Sequence, residues 1–223
     1  MATWEGMFTG HTNLIRKMLF GSVLVCDYTA SGSFSTFTPF ASDGSVAASG
    51  IAGGKVTIGG VVWTDLGYLT DDGVTFARAV TGSDVMGWQS RSPLRHDITA
   101  DVETAHFMAL ETKPSNMALY NNLLLASGGT MASGASYSLA HPQAQTVYRS
   151  FLFLGSDGTG SQQIVGAKLY PYSSVTDLGD KDWKADTPDQ FELTVTPYVD
   201  PNVNYDVKTW IDGPGWRALS AVA

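Results

Sequence analysis

Apolar and polar positions along this chain alternate with two periods, and the shorter one dominates. From Leu94 to Glu103, Ile98, Ala100 and Val102 fall on one side, with Asp97, Thr99, Asp101 and Glu103 on the other. Period two with one polar side predicts a half-buried strand. Thr104 to Glu111, carrying Phe107, Met108 and Leu110, reads as its partner. Upstream, a first strand is predicted at about 21–28, entered from an N-terminal arm over 1–20 whose amphipathic stretch Asn13–Phe20 is too short to stand as a helix. Lys55 to Leu69 reads as a strand interrupted at Gly59-Gly60 by a bulge or tight bend. Asp71-Asp72-Gly73 reads as a turn, after which Val74 to Val80 continues as strand.

The longer period appears once. Pro114 suits the first turn of a helix, Met117, Leu119 and Tyr120 can cover one side of it, and Asn121-Asn122 suits its stop. Beyond it, 146–154 and 162–170 predict a hairpin around the glycine-rich segment 155–160. Phe191 to Val199 is the last predicted strand, with Phe191, Leu193 and Val195 on one face. Residues 200–223 read as an irregular C-terminal arm whose Trp210 and Trp216 call for a packing partner.

Residues 29–54 form a long Ser-, Gly- and Ala-rich loop studded with Phe34, Phe37 and Phe40. A loop of that length is uncommon in a compact domain, and exposed aromatics find a partner. Either the loop docks on another molecule, or its phenylalanines fold back on their own domain. With no repeat and no break in composition, residues 1–223 read as one mainly-β domain with a single short helix and long arms.

Composition narrows the function classes. Twenty-one acidic against 13 basic residues give a net charge of −8, and no basic cluster appears. Nucleic-acid binding needs clustered Lys and Arg to displace counterions, so tight DNA or RNA binding is not expected. An acidic wall does suit DNA that must slide past without sticking. The single cysteine, Cys26, excludes an internal disulfide framework and reads as a small buried hydrophobe. No signal peptide and no apolar run of ~18 residues is seen, so a soluble intracellular product is expected.

Candidate chemistry fares poorly. The glycine-rich 155–160 segment is followed by strand where a phosphate loop needs a helix. Asp101 and Glu103 could pair for acid–base work, but carboxylates at i and i+2 on a strand are more often a solvated face. His11, His96, His106 and His141 lack zinc spacing, and Asp177, Asp180 and Asp182 do not match a calcium loop. No enzyme activity, metal or cofactor is expected.

Three motifs stand in order. Leu66-Gly67-Tyr68 precedes Asp72-Gly73-Val74; Trp88 precedes a segment with Arg91 and Arg95; and Leu110-Glu111-Thr112 leads through Pro114 to Leu119-Tyr120. Their order and spacing resemble the major tail tube proteins of long, non-contractile-tailed bacteriophages, especially those of actinobacteriophages. Gly166–Tyr170 and Phe191–Tyr198 fit that family's late strands, so the likeness covers about 55–217.

The resemblance implies a β-sandwich or open-barrel fold with one flanking helix. It further implies hexameric rings stacked into the conduit for genome ejection. Tape-measure, tail-tip and tail-terminator proteins would be partners, with assembly in the host cytoplasm and residence in the virion. In such a tube the 29–54 loop would reach between rings. Phe34, Phe37, Phe40, Trp210 and Trp216 would then make subunit or ring contacts. Asp97, Asp101 and Glu103 would face the lumen, or else the outside. Two other readings stand beside it: a carbohydrate-binding β-module, suggested by six Trp and nine Tyr, and a hydrolase with an unrecognised site.

Overall fold

The computed structural model describes residues 14–29, 34–129, 131, 133–141, 143 and 145–219. Most of the N-terminal arm, residues 30–33 of the long loop and the last four residues of the C-terminal arm lie outside them. The strands are β1 (Phe20–Asp27), β2 (Ala48–Ala52), β3 (Lys55–Ile58), β4 (Val61–Asp65), β5 (Leu69–Met86) and β6 (Pro93–Ala109). After helix α1 (Pro114–Tyr120) come β7 (Arg149–Asp157), β8 (Ile164–Leu178), β9 (Phe191–Pro197), β10 (Lys208–Asp212) and helix α2 (Pro214–Ala218). The protein is mainly β, as the alternating pattern requires.

All pairings are antiparallel, in the order β2-β3-β4-β1-β7-β8-β9-β6-β5, with β10 added beside the first half of β8. β8 changes partner midway. Val165–Leu169 faces β10, whereas Ser173–Leu178 faces β9, and a one-residue bulge lies between at Pro171-Tyr172. Proline has no N–H for the ladder and is confined to such places. The bulge lets the sheet fold over itself. Phe76 of β5 stands four places from β7 along the sheet, yet its ring meets Phe153 of β7 at 5.2 Å.

Strands β1, β7 and β8 therefore form a middle layer with apolar residues on both faces. Val23, Val25, Phe151, Phe153 and Tyr170 point to one core, shared with Phe107, Leu119, Leu193 and Val195. Leu24, Leu152, Val165, Ala167 and Leu169 point to a second, shared with Trp63, Ile58 and three phenylalanines of the long loop. The unbroken run Phe151-Leu152-Phe153-Leu154 is the mark of a strand buried on both sides. α1 begins with Pro114 as expected and closes one end of the first core through Leu119. Behind it Arg149 is fully buried, its guanidinium donating to Asn122 Oδ1 at 3.2 Å and to the Leu123 carbonyl.

Of the two readings of Gly59-Gly60 the tight bend holds: it is the reversing turn between β3 and β4; Gly59 sits at φ 58°, and a Cβ there would strike the Phe37 ring at 2.6 Å. Three expectations change. Asp71-Asp72-Gly73 reverses nothing: the segment 70–73 is looped out as a bulge within β5. The predicted break at Thr104 is absent. Residues 94–103 and 104–109 are one strand, β6, whose partner is β5. The C-terminal segment is not irregular but supplies β10 and α2.

Candidate assembly surfaces

The long strands β5 and β6 pair along almost their whole length, but only the root of that ribbon belongs to the body. β6 pairs with β9 solely over Ala105–Ala109, so its outer edge is free from Pro93 to Thr104. Beyond Ala77 every residue of β5 is exposed, and so is nearly every residue of β6 before Glu103. Val80, Val85, Leu94, Ile98 and Val102 are among those exposed side chains. At the tip, Trp88 is 98 % exposed. Apolar side chains in water cost free energy, and a lone two-stranded ribbon is marginal without packing.

A bulge redistributes the ribbon's charges. Thr81 pairs with Ala100 and Gly82 with Ile98, which leaves Thr99 extra. Residues directly opposite in an antiparallel pair share a face. Asp101 and Glu103 thus lie on the face of Val80 and Arg78, together with Ile98, while Asp97 turns to the face of Ala100 and Val102. The expected division into one acidic and one apolar face is corrected: a single extra residue exchanges the two sides.

Each of those acids has a basic partner within the subunit. Glu103 Oε1 accepts hydrogen bonds from Lys168 Nζ and from the Tyr170 hydroxyl, each at 2.7 Å, at the mouth of the first core. Burial, with the Glu103 carboxylate adding to it, pushes the Tyr170 phenol well above its ordinary range. Arg78 binds Asp101 through both nitrogens, one contact at 2.8 Å, and holds that carboxyl below its usual value. Asp97 takes Arg95 Nε at 2.6 Å. The ribbon therefore presents ion pairs rather than a bare acidic wall.

Phe34, Phe37 and Phe40 are spent inside the subunit, at 3 %, 4 % and 7 % exposure. Phe34 and Phe37 pack against Trp63, and Phe37 also meets Trp210 at 6.0 Å. Of the two alternatives for the loop, its phenylalanines take the inward one. Trp216 on α2 is 40 % exposed, and its neighbour Arg217 clamps Asp212 and the Ser42 carbonyl. Burial pushes the Cys26 thiol up to about 12. Among the described residues no group of three His, Cys, Asp or Glu side chains could hold a metal ion. No helix there is long and apolar enough to cross a membrane.

The surface that sequence reading missed is the ribbon itself. Gly82, Gly87 and Pro93 break the pattern as turns would, so the two halves looked like separate short strands. Trp88 between Gly87 and a basic segment was the available signal.

A mainly-β chain whose conspicuous exposed feature is a long apolar-and-charged ribbon presents a surface suited to contact with other chains. A family model described as phage tail tube protein matches residues 36–215, most of the chain. The chain belongs to that family, and it is a structural component of a phage tail. A search of curated proteins gave no match.

Proposed function

We propose that this chain self-assembles into rings, six subunits to a ring, that stack into the tail tube through which DNA leaves the particle. The observation that carries the reading is the β5–β6 ribbon, exposed on both faces and open along the outer edge of β6. Free edges and apolar ribbons are liabilities in a monomer, because they pair with other chains. Pairing head to tail is heterologous, and a heterologous contact closes into a ring when its rotation permits. Trp216, half-exposed on the C-terminal arm, remains available for a ring contact.

A net charge of −8 keeps passing DNA from adhering, while the paired acids Asp97, Asp101 and Glu103 temper the local field wherever they face. Tape-measure, tail-tip and terminator proteins set the length and ends of such a tube, which is built in the host cytoplasm and resides in the virion. The test is negative-stain electron microscopy of concentrated protein beside light scattering. Hollow tubes or rings of uniform diameter are expected. A monodisperse monomer at every concentration counts against the reading and directs attention to glycan binding.

A further inference from the structure

An open groove of about 740 Å³ lies where the root of β5 meets β7, β8 and β10. Its lining is apolar and much of it is exposed: Phe20 at 67 %, Tyr68 at 79 %, Ile211 at 49 % and Phe76 at 39 %, with Phe153 behind them. Asp71 and Asp72, looped out by the β5 bulge, also line it, and neither forms an ion pair among the described residues. The groove thus couples apolar walls to two carboxylates, while the cation that also lines it, Lys168, is held by Glu103.

The tip of the β5–β6 ribbon is apolar too, with charge of the opposite sign. Val85, Met86, Trp88 and Leu94 are exposed there, and Arg91 beside them forms no ion pair among the described residues. The tip cannot fill its own groove. The groove includes Leu69–Val74 and Phe76, at the root, and from Arg78 to Met86 the strand runs outward for about 27 Å at ~3.4 Å per residue. Both surfaces belong to every copy, and among the described residues neither is covered within one copy.

We infer that the groove of one subunit receives the β5–β6 tip of a second copy of this chain, Trp88 entering against Phe20, Tyr68 and Ile211 while Arg91 meets Asp71 and Asp72. This rests on the tube reading and names the contact that builds it. Tip and groove are different patches, so the contact propagates from subunit to subunit and closes or spirals according to its rotation. A buried Trp with an adjacent Arg is the composition of an interface hot spot.

The test places cysteines at both sites, Met86→Cys with Ile211→Cys, in the full chain, with Trp88 left in place. Cys26 stays in place, its buried thiol protonated at neutral pH. Assembled material is oxidised and run on non-reducing gels. A ladder of multimers that needs both cysteines is expected, with either single variant giving none. In parallel, Trp88→Ala should raise the assembly concentration about 30-fold. Arg91→Glu should block assembly, and adding Asp72→Arg should restore it. Tubes that form without the ladder, or an Arg91→Glu protein that assembles normally, overturn this contact and leave the tube reading standing. Wild-type protein that never assembles overturns both.

Discussion

The two halves of the β5–β6 ribbon share the same two paired strands, yet they live in different solvents. Near the root, Phe107 and Ala105 are fully buried, and Phe107 meets Phe151 and Phe153 at 6.3 and 6.1 Å. Past Glu103 the same two strands carry Val80, Ile98 and Val102 into water. The β5–β6 ladder runs through both halves, but only at the root does β9 pair with β6 and a core lie beneath them. Strand identity is thus fixed locally, and stability comes from packing. The root belongs to the subunit, and the outer half awaits a neighbour.

The comparison can be broken hardest at the root. Phe107→Ala should cost about 3–5 kcal/mol, read from urea denaturation, because a packed aromatic leaves a cavity. A loss below about 1 kcal/mol would mean that the root is not core after all. At the boundary, Glu103→Gln should cost about 1–2 kcal/mol, since the charged acceptor for Lys168 and Tyr170 is lost in a partly buried place.

Tyr170 sharpens the boundary through pH. Its folded-state pKa is raised, first by burial, so the folded protein holds the phenolic proton more tightly than the unfolded chain. That stability is complete below the ordinary value of 10.0 and drains as pH climbs past it. Tyr170→Phe should flatten the alkaline limb of a stability–pH curve; an unchanged limb would place the titration elsewhere. Outward of the boundary, effects on the monomer should vanish. Trp88→Ala should alter unfolding by no more than about 0.5 kcal/mol, whatever it does to assembly. Asp101→Asn should leave the unfolding midpoint unmoved, because its pair with Arg78 lies in water.

Much of the body was legible. The β9 residues Phe191, Leu193 and Val195 alternate and are buried as the pattern says. The β7–β8 hairpin and the proline-led helix α1 stand near their expected places. Local chemistry was misleading where a turn-like sequence lies within continuous strand. Asp71-Asp72-Gly73 has turn composition, but β5 tolerates it as a bulge because β6 supplies partners on either side. The fate of Phe34, Phe37 and Phe40 depends on Trp63 and Trp210, distant in sequence, and no local pattern reports such contacts. Thr99 was invisible for a further reason. The alternation of polar and apolar letters runs straight through it, while the register of the opposite strand slips by one.

That slip makes Thr99 a reading-frame position for the ribbon's surface. Inserting one residue opposite it, between Thr81 and Gly82, would give Thr99 a partner and restore strict alternation, carrying Asp97 to the side of Asp101 and Ile98 to that of Ala100 and Val102. No other side chain would be edited, and the composition would hardly move, yet the chemical text of both faces from there to the tip would be transposed. A lineage can thus change what its ribbon says to a neighbour by one codon gained.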